Sequence, residues 1–438
     1  MNILLFTLFY PFVITIIHDF SRNHKPLKST DNEEYDNYLK ELLFNKTNTS
    51  PQVIKYDEKN LKNLILLQLE SFPYELVNNR ISPNFYNLSQ KYEFLAPIKV
   101  QPYCSWTTGA VVATQCGIPQ ILPDSNWEFR RQGKFLYNKN IVCLSDILGS
   151  FGYKKIFALT GTESVMGFGE FRKSKNFEKI AQMKNDLKLS CFIAENFLPM
   201  MDDDIRGKAH VDIPQKKSRR RRRRRRKVIK NENPVTDNNN KNKTRYLVYI
   251  RPEDTHTPYL RPKWCFLNNT HFDSYEKCFN CVDYAINIII QKYLELKMYE
   301  HTLLVVYPDH TPFGASFIKE NNHLFILFPG MEKVSDEKKI NRSITYYDFA
   351  PTILDMIGIK DYLPSYPFGS NIYNINNSET LKHTKPDEND LDVIDNFLNF
   401  QPKLINIINS TRMYKCYKRY HQYDTFYYSN KPCNYTSG

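Results

Sequence analysis

Three separate apolar runs in this chain are each followed by residues that can hold a divalent cation. They are residues 64–69 with Glu70, residues 246–250 with Asp254 and His256, and residues 303–307 with Asp309 and His310. Unbroken apolar runs of this length are typical of strands buried on both faces, as in a parallel sheet covered by helices. Because open sheets of that kind bind ligands beyond the carboxyl ends of their strands, the repetition predicts one metal site at that edge.

From about residue 60 onward, predicted strands alternate with predicted helices. The helices are expected after Trp106 and at residues 141–151, 282–299 and 346–357, and the further strands at residues 155–159 and from Leu324. The last of these helices is expected to end at Gly358, because glycine readily takes the backbone conformation that ends a helix. This alternation favours an α/β fold with a largely parallel sheet and crossover helices.

The formal net charge of +13 comes almost entirely from one segment. Lys216, Lys217, the eight arginines from Arg219 to Arg226, and Lys227 supply 11 positive charges within 12 residues, which leaves 49 basic against 47 acidic residues elsewhere. The arginine run permits a solvated loop, contact with an anionic glycan or membrane, cleavage by a processing protease, or nucleic-acid binding. Since the remainder of the chain is near neutral, we expect a solvated loop and no nucleic-acid partner.

The N-terminal segment, residues 3–17, is apolar except for two threonines, a tyrosine and a proline. Its length suits the core of a signal peptide better than the roughly 20 residues of a spanning helix, although no small-residue cleavage site follows. A cleaved signal, an uncleaved anchor and a truncated or soluble start all stay open. Either of the first two places the bulk of the protein in the secretory lumen or outside the cell.

Composition divides the chain into four parts. We expect a signal peptide or signal anchor at 1–20, a polar stalk at 21–60, a catalytic domain at 61–375 and a basic, tyrosine-rich tail at 376–438. An Arg/Asn-rich insert at 205–243 interrupts the domain, because its composition cannot build a core.

Sequons and cysteines agree with a secretory location. The nine Asn-x-Ser/Thr sequons are weak support in so asparagine-rich a chain, and the nine cysteines would allow up to four disulfides in an oxidising compartment. Cys265, Cys278 and Cys281 form a local cluster, and Cys416 with Cys433 could close the tail. No second cysteine pair stands at zinc-finger spacing, which argues against structural zinc.

Thr107 lies in a segment, residues 106–113, that predicts the first turns of a helix. A threonine hydroxyl barely ionises at neutral pH, so it becomes a nucleophile only if something such as a divalent cation stabilises the alkoxide. The free N–H groups at the helix start would favour an anion there. Glu70, Asp309 and His310 offer the oxygen and imidazole ligands that manganese, magnesium or zinc accept. Taken singly, each of these residues is more often a helix cap or a solvated surface group.

At these residues the chain resembles the alkaline phosphatase/sulfatase superfamily, and within it the phosphoglycerol transferases that include lipoteichoic acid synthase and the enzyme that decorates periplasmic glucans. The matching stretches are LILLQLES (64–71), WTTGAVVATQCGIP (106–119), VCLSDILGSFGYKKIFALTG (142–161), EDTHTP (253–258), VVYPDH (305–310) and YYDFAPTILDMIGI (346–359). The resemblance implies an alkaline phosphatase-like three-layer α/β/α sandwich with a largely parallel central sheet.

The resemblance also implies a catalytic centre. Glu70, Thr107, Asp309 and His310 would hold a single divalent metal ion, manganese by analogy, with magnesium or zinc as alternatives. Thr107 would attack a phosphodiester and form a phosphothreonine, which an acceptor alcohol or water then resolves.

Five further positions match the family. His256 would bind the substrate phosphate or protonate the leaving oxygen, as an imidazole that titrates near neutrality can. Asp254 and Gln115 would support substrate binding. Cys116 and Cys143 also match, which makes a disulfide between them possible.

We therefore expect a metal-dependent phosphotransferase or phosphodiesterase acting on a lipid head group or glycan that carries a phosphodiester. A sulfatase is an alternative, but neither Cys104 nor Cys116 stands in the Cys/Ser-x-Pro-x-Arg context from which formylglycine is made. A third hypothesis is a secreted binding protein that kept the fold and lost turnover.

Overall fold

The computed structural model describes residues 50–99, 107–118, 142–161, 163, 168–207, 244–256, 262–265, 274–312, 323–339, 344–363, 366 and 369–373. They belong to one compact unit, which comprises Thr49–Gln120 and Glu128–Asn377. The predicted signal segment, the arginine run, the tail and the Cys416 and Cys433 pair lie outside the described residues. Among the helices that are described, none is long and apolar enough to cross a membrane.

Strands and helices are interspersed along the described part of the chain. The strands are β1 (Gln52–Tyr56), β2 (Asn63–Leu69), β3 (Glu93–Lys99), β4 (Tyr153–Thr160), β5 (Glu178–Met183), β6 (Arg245–Arg251), β7 (Thr302–Pro308), β8 (His323–Phe328) and β9 (Ile359–Leu363). The α-helices are α1 (Pro83–Lys91), α2 (Thr107–Cys116), α3 (Leu144–Ser150), α4 (Phe168–Ser174), α5 (Asp186–Phe192), α6 (Leu198–Ile205), α7 (Ser274–Glu295) and α8 (Phe349–Met356).

A seven-stranded sheet forms the centre of the unit, in the order β3-β8-β7-β2-β6-β4-β5. Strands β7, β2, β6, β4 and β5 run parallel, whereas β8 runs antiparallel to both of its neighbours, β7 and β3. The predicted largely parallel sheet is thus confirmed. The three apolar runs of the sequence are its adjacent central strands β7, β2 and β6.

Helices cover both faces of this sheet. One face packs against α1, α5, α6 and α7 in a continuous apolar cluster that includes Ile65 and Leu67. On the other face, Tyr307 lies 4.5 Å from Phe349 of α8, measured between ring centroids. Burial on both sides explains why the central strands read as unbroken apolar runs, with every residue of β2 and β7 buried.

Three predicted helices differ from the structure in their bounds. The helix expected at 141–151 runs from Leu144 to Ser150, because Cys143 is extended and caps it. The helix expected at 282–299 runs from Ser274 to Glu295, because Tyr275 and Cys278 extend its buried stripe backwards with helical spacing. The helix expected at 346–357 consists of a 3₁₀ turn, Tyr346–Asp348, followed by α8. It stops where predicted, since Gly358 has a φ of +92° and a Cβ there would lie 2.9 Å from the backbone of Asn60.

Strand β1 lies within the segment for which the sequence predicts a polar stalk. It pairs antiparallel with β9 in a separate two-stranded sheet, so residues 52–56 belong to the compact unit. The burial pattern explains the difference, because most side chains of β1 are exposed and give no apolar run.

Candidate active site

The ends of β2 and β7 bring the predicted metal ligands together. The two strands pair in parallel with Leu69 opposite Pro308, so the residues that follow them leave the sheet side by side. The backbone N–H of Asp309 donates to the carbonyl of Leu69 at 2.8 Å and extends this pairing by one step. Glu70 and Asp309 are therefore neighbours because of strand register.

Four side chains converge at this edge. The ligand atoms of Glu70, Asp309 and His310 all lie within 4.8 Å of one another. Nε2 of His310 lies 3.4 Å from Oε1 of Glu70 and 3.6 Å from Oδ2 of Asp309. Oγ1 of Thr107, the first residue of α2, lies 3.2 Å from the same nitrogen. All four side chains are buried.

The tautomer of His310 follows from its second nitrogen. Nδ1 lies 2.7 Å from the carbonyl oxygen of Thr311, which can only accept, so Nδ1 carries a proton. In the neutral ring Nε2 is then a lone-pair donor next to two carboxylate oxygens and one hydroxyl. Such an arrangement is favourable only if a proton or a cation lies among these atoms.

The donor set fits a divalent cation. Oδ2 of Asp309 is buried and accepts no hydrogen bond from a described residue. Oδ1 of the same carboxylate accepts from the backbone N–H groups of Ser71, at 2.8 Å, and His310, at 2.7 Å. An orphaned carboxylate oxygen in a buried site costs free energy unless a proton or cation partners it. Two carboxylates, one imidazole and one hydroxyl suit manganese, magnesium or zinc.

The pKa values of Asp309, His310 and Glu70 reflect the same excess of buried negative charge. Burial, followed by the charge of Glu70, raises the pKa of Asp309 to about 6. Burial would lower the pKa of His310, but the charges of Asp309 and Glu70 outweigh it and raise that pKa to about 9. Burial would raise the pKa of Glu70, yet the hydrogen bond with His310 and the charge of Arg251 hold it well below its usual value. The pocket thus attracts positive charge.

Ser71 is a site residue that the sequence did not single out. Its φ of +49° is unusual for a residue with a side chain, and its hydroxyl donates to Oε1 of Glu70 at 2.8 Å. This bend lets the Ser71 N–H reach Asp309 while its hydroxyl orients Glu70. The only sequence signal was its place directly after Glu70 at the end of an apolar run.

Arg251 is a second such residue. It ends β6, and its Nη2 donates to Oε2 of Glu70 at 2.6 Å, with both side chains buried. A signal was present in the sequence, because a charged residue directly follows the run at 246–250, as Glu70 directly follows the run at 64–69.

Asp254 forms hydrogen bonds with Asp186 and Trp264. Its Oδ2 accepts from the backbone N–H of Asp186 at 3.0 Å and from the indole N–H of Trp264, and its own N–H donates to Oδ2 of Asp186 at 3.0 Å. Burial, and then the charge of Asp254, raise the pKa of Asp186 well above its usual value. These contacts anchor the turn that carries His256.

His256 is half-buried, and its N–H closes this turn by donating to the carbonyl of Glu253 at 2.9 Å. The turn follows β6, which pairs in parallel with β2, so His256 leaves the sheet at the same edge as Glu70. Partial exposure leaves the imidazole accessible to a substrate.

Gln115 lies apart from the four converging side chains. It is eight residues after Thr107 on α2, which corresponds to about 12 Å along the helix axis. It is fully buried, and neither atom of its amide has a hydrogen-bond partner among the described residues. The Tyr307 hydroxyl lies beside it, but not in the geometry of a hydrogen bond.

Two disulfides are formed within the described part of the chain. Cys116 pairs with Cys143, the pairing that the family resemblance suggested, and ties the end of α2 to the start of α3. Cys265 pairs with Cys281, which leaves Cys278 as a buried thiol whose Sγ lies 3.3 Å from the carbonyl oxygen of Asp254. The cysteine cluster is thus used for cross-linking.

No protein-family model matches the chain. A curated relative, phosphoglycerol transferase I of Escherichia coli (strain 55989 / EAEC), is 24% identical over 277 residues, which cover 60% of this chain and 32% of the relative. The predicted resemblance to phosphoglycerol transferases is confirmed. The chain nevertheless spans only about a third of the length of the relative.

Solved structures of similar fold include an alkaline phosphatase superfamily protein from Vibrio parahaemolyticus, with a TM-score of 0.49, 18% identity, and coverage of 70% of this chain and 69% of that one. Another is the Streptococcus pyogenes phosphoglycerol transferase GacH in complex with sn-glycerol-1-phosphate. It has a TM-score of 0.45 and 13% identity, and covers 84% of this chain and 91% of that one.

Proposed function

We propose that this chain is a metal-dependent phosphotransferase or phosphodiesterase in which Thr107 is the nucleophile. The observation that carries the proposal is the convergence of Thr107 Oγ1 with the imidazole and carboxylates of His310, Glu70 and Asp309 in one buried cluster. A lone buried threonine is chemically inert. A threonine at a helix start beside three ligand side chains is arranged for activation.

Glu70, Thr107, Asp309 and His310 would hold the ion, with manganese as the first candidate and magnesium or zinc as alternatives. When bound, a divalent ion lowers the pKa of a coordinated hydroxyl and neutralises charge on a phosphoryl oxygen. The orphaned Oδ2 of Asp309 supports this assignment, because it lacks any other partner among the described residues.

The protein's own groups would orient and protonate the substrate. Thr107 is the first residue of α2, and the positive end of the helix dipole at that position would favour an anion beside it. The Thr107 hydroxyl loses its proton to solvent before attack. Oγ1 of Thr107 then bonds to phosphorus while the bond from phosphorus to the leaving alkoxide breaks, and protonated His256 supplies the proton to that alkoxide. In the second half, His256 takes a proton from the acceptor alcohol or water as its oxygen bonds to phosphorus, and the Thr107 alkoxide leaves in the form in which it began.

The substrate class rests on the sequence relative. A protein named phosphoglycerol transferase supports a phosphodiester on a lipid head group or glycan as substrate. The contacts of Asp254 and the distance of Gln115 from Thr107 along α2 favour structural support over direct substrate binding. Anionic glycan or membrane contact through the run from Arg219 to Arg226 stays a prediction, and so does the expectation of no nucleic-acid partner.

We place the site in the secretory lumen or outside the cell, with the N-terminal segment as a signal peptide or anchor. The disulfides Cys116–Cys143 and Cys265–Cys281 support this location, because disulfides persist in oxidising compartments.

The test uses full-length secreted protein with Mn²⁺, assayed on bis(4-nitrophenyl) phosphate and on 4-nitrophenyl sulfate. We expect diester turnover that falls to background in Thr107→Ala and persists in part in Thr107→Ser. Thr114→Ala is the matched control, since Thr114 is buried on the same helix and its hydroxyl bonds to the carbonyl of Ala110 at 2.8 Å. Turnover that survives in Thr107→Ala, or sulfate cleavage without diester cleavage, would contradict the proposal.

A further inference from the structure

Arg251 is buried at the end of β6 and contacts Glu70 of the candidate metal site. Its Nη2 donates to Oε2 of Glu70 at 2.6 Å, and its Nη1 donates to Oε1 of Glu253. The guanidinium carbon also lies 4.0 Å from the centroid of the Phe168 ring. Two carboxylates and an aromatic face therefore hold this guanidinium in one place.

A buried arginine beside a cation site would ordinarily oppose the cation by charge repulsion. Here Glu253 neutralises that charge from the other side of the guanidinium. The carboxylates of Glu70, Asp309 and Glu253 carry three negative charges, and Arg251 carries one positive charge. The two negative charges that remain match the charge of a divalent ion. The charge balance is therefore consistent with an arginine that stays in place when the ion binds.

The contacts of Glu70 separate its two carboxylate oxygens. Oε2 is held by Arg251, whereas Oε1 accepts from the Ser71 hydroxyl and lies 3.4 Å from Nε2 of His310. A carboxylate fixed by one oxygen in this way presents the other oxygen with little freedom to rotate, and such support from groups behind a metal ligand raises metal affinity.

We propose that Arg251 is a positioning residue that fixes Glu70 through Oε2 and so presents Oε1 to the divalent cation. The inference rests on the proposed metal centre, and it adds a residue that acts behind the ligands. Lysine is not an equivalent, because only the planar guanidinium fork reaches Glu70 and Glu253 with separate N–H groups.

The experiment measures the dissociation constant for Mn²⁺ by isothermal titration calorimetry on the full-length protein. We expect Arg251→Met to weaken Mn²⁺ binding about 10- to 100-fold, the usual effect of removing such a supporting group. Arg251→Lys should weaken it less, because it keeps the charge without the fork. Arg206→Met is the control, since Arg206 pairs with Asp202 on α6, away from the site, and should leave the constant unchanged.

The outcomes separate this inference from the proposed function. Wild-type protein that binds no Mn²⁺ contradicts the metal centre and removes the basis of the inference. Wild-type protein that binds Mn²⁺, with Arg251→Met binding equally well or more tightly, overturns the inference alone. If Arg251→Met does not fold, Arg251→Lys decides, since wild-type affinity in that variant would overturn the role of the fork.

Discussion

At the scale of single residues, the convergence of Glu70, Asp309 and His310 could be predicted from sequence, but the residues that support them could not. Glu70, Asp309 and His310 carry a signal because ligand side chains directly follow apolar strands. Ser71 and Arg251 carry a weaker sequence signal. The role of Ser71 depends on its positive φ, and the role of Arg251 depends on the pairing of β6 with β2. Strand order follows from tertiary packing, which no local pattern encodes.

Gln115 matches a position of the family that the sequence resembles. A substitution there distinguishes a role in substrate binding from a role in filling the interior. We expect Gln115→Met, a change of similar volume, to raise the free energy of unfolding by about 1 kcal/mol, because it removes a buried amide without partners among the described residues. Denaturant unfolding measures this change. A large loss of diester turnover with unchanged stability would indicate substrate binding instead.

At the scale of elements, the strands that could be predicted from the sequence are the buried ones. β2 and β7 are buried at every position and stand out as apolar runs. β1 and β5 are largely exposed, and neither was predicted as a strand. Helix α2 matters most for the site, because its first residue is Thr107 and its last is Cys116, the half of a disulfide that joins it to α3.

The Cys116–Cys143 disulfide should fix α2 and thereby Thr107. Replacing both cysteines by alanine removes a cross-link between residues 27 apart, for which the chain-entropy model gives a loss of about 3–4 kcal/mol. We expect that loss in denaturant unfolding, together with reduced diester turnover under conditions where the variant is folded.

The matched control is the double alanine variant of Cys265 and Cys281, which are 16 residues apart. It should lose about 3 kcal/mol of stability. This disulfide lies beside Trp264, which contacts the turn that carries His256, and does not involve α2. Its loss should therefore lower turnover, but by less than the loss of the α2 disulfide. Equal losses of turnover in both variants would argue against a specific role for the α2 disulfide.

At the scale of the whole molecule, the described unit is a three-layer α/β/α structure with its candidate site where three central strands end. The sequence predicted this layout because the sheet is largely parallel, and parallel sheets place ligand sites beyond their carboxyl edge.

One divalent ion is expected among Glu70, Thr107, Asp309 and His310. Anomalous diffraction from crystals of the protein grown with Mn²⁺ would locate it. We expect a single anomalous peak bonded to these four side chains, with Oγ1 of Thr107 among its ligands. Crystals that contain Mn²⁺ in the solvent but show no peak there, or a peak that leaves Thr107 unbound, would contradict this expectation.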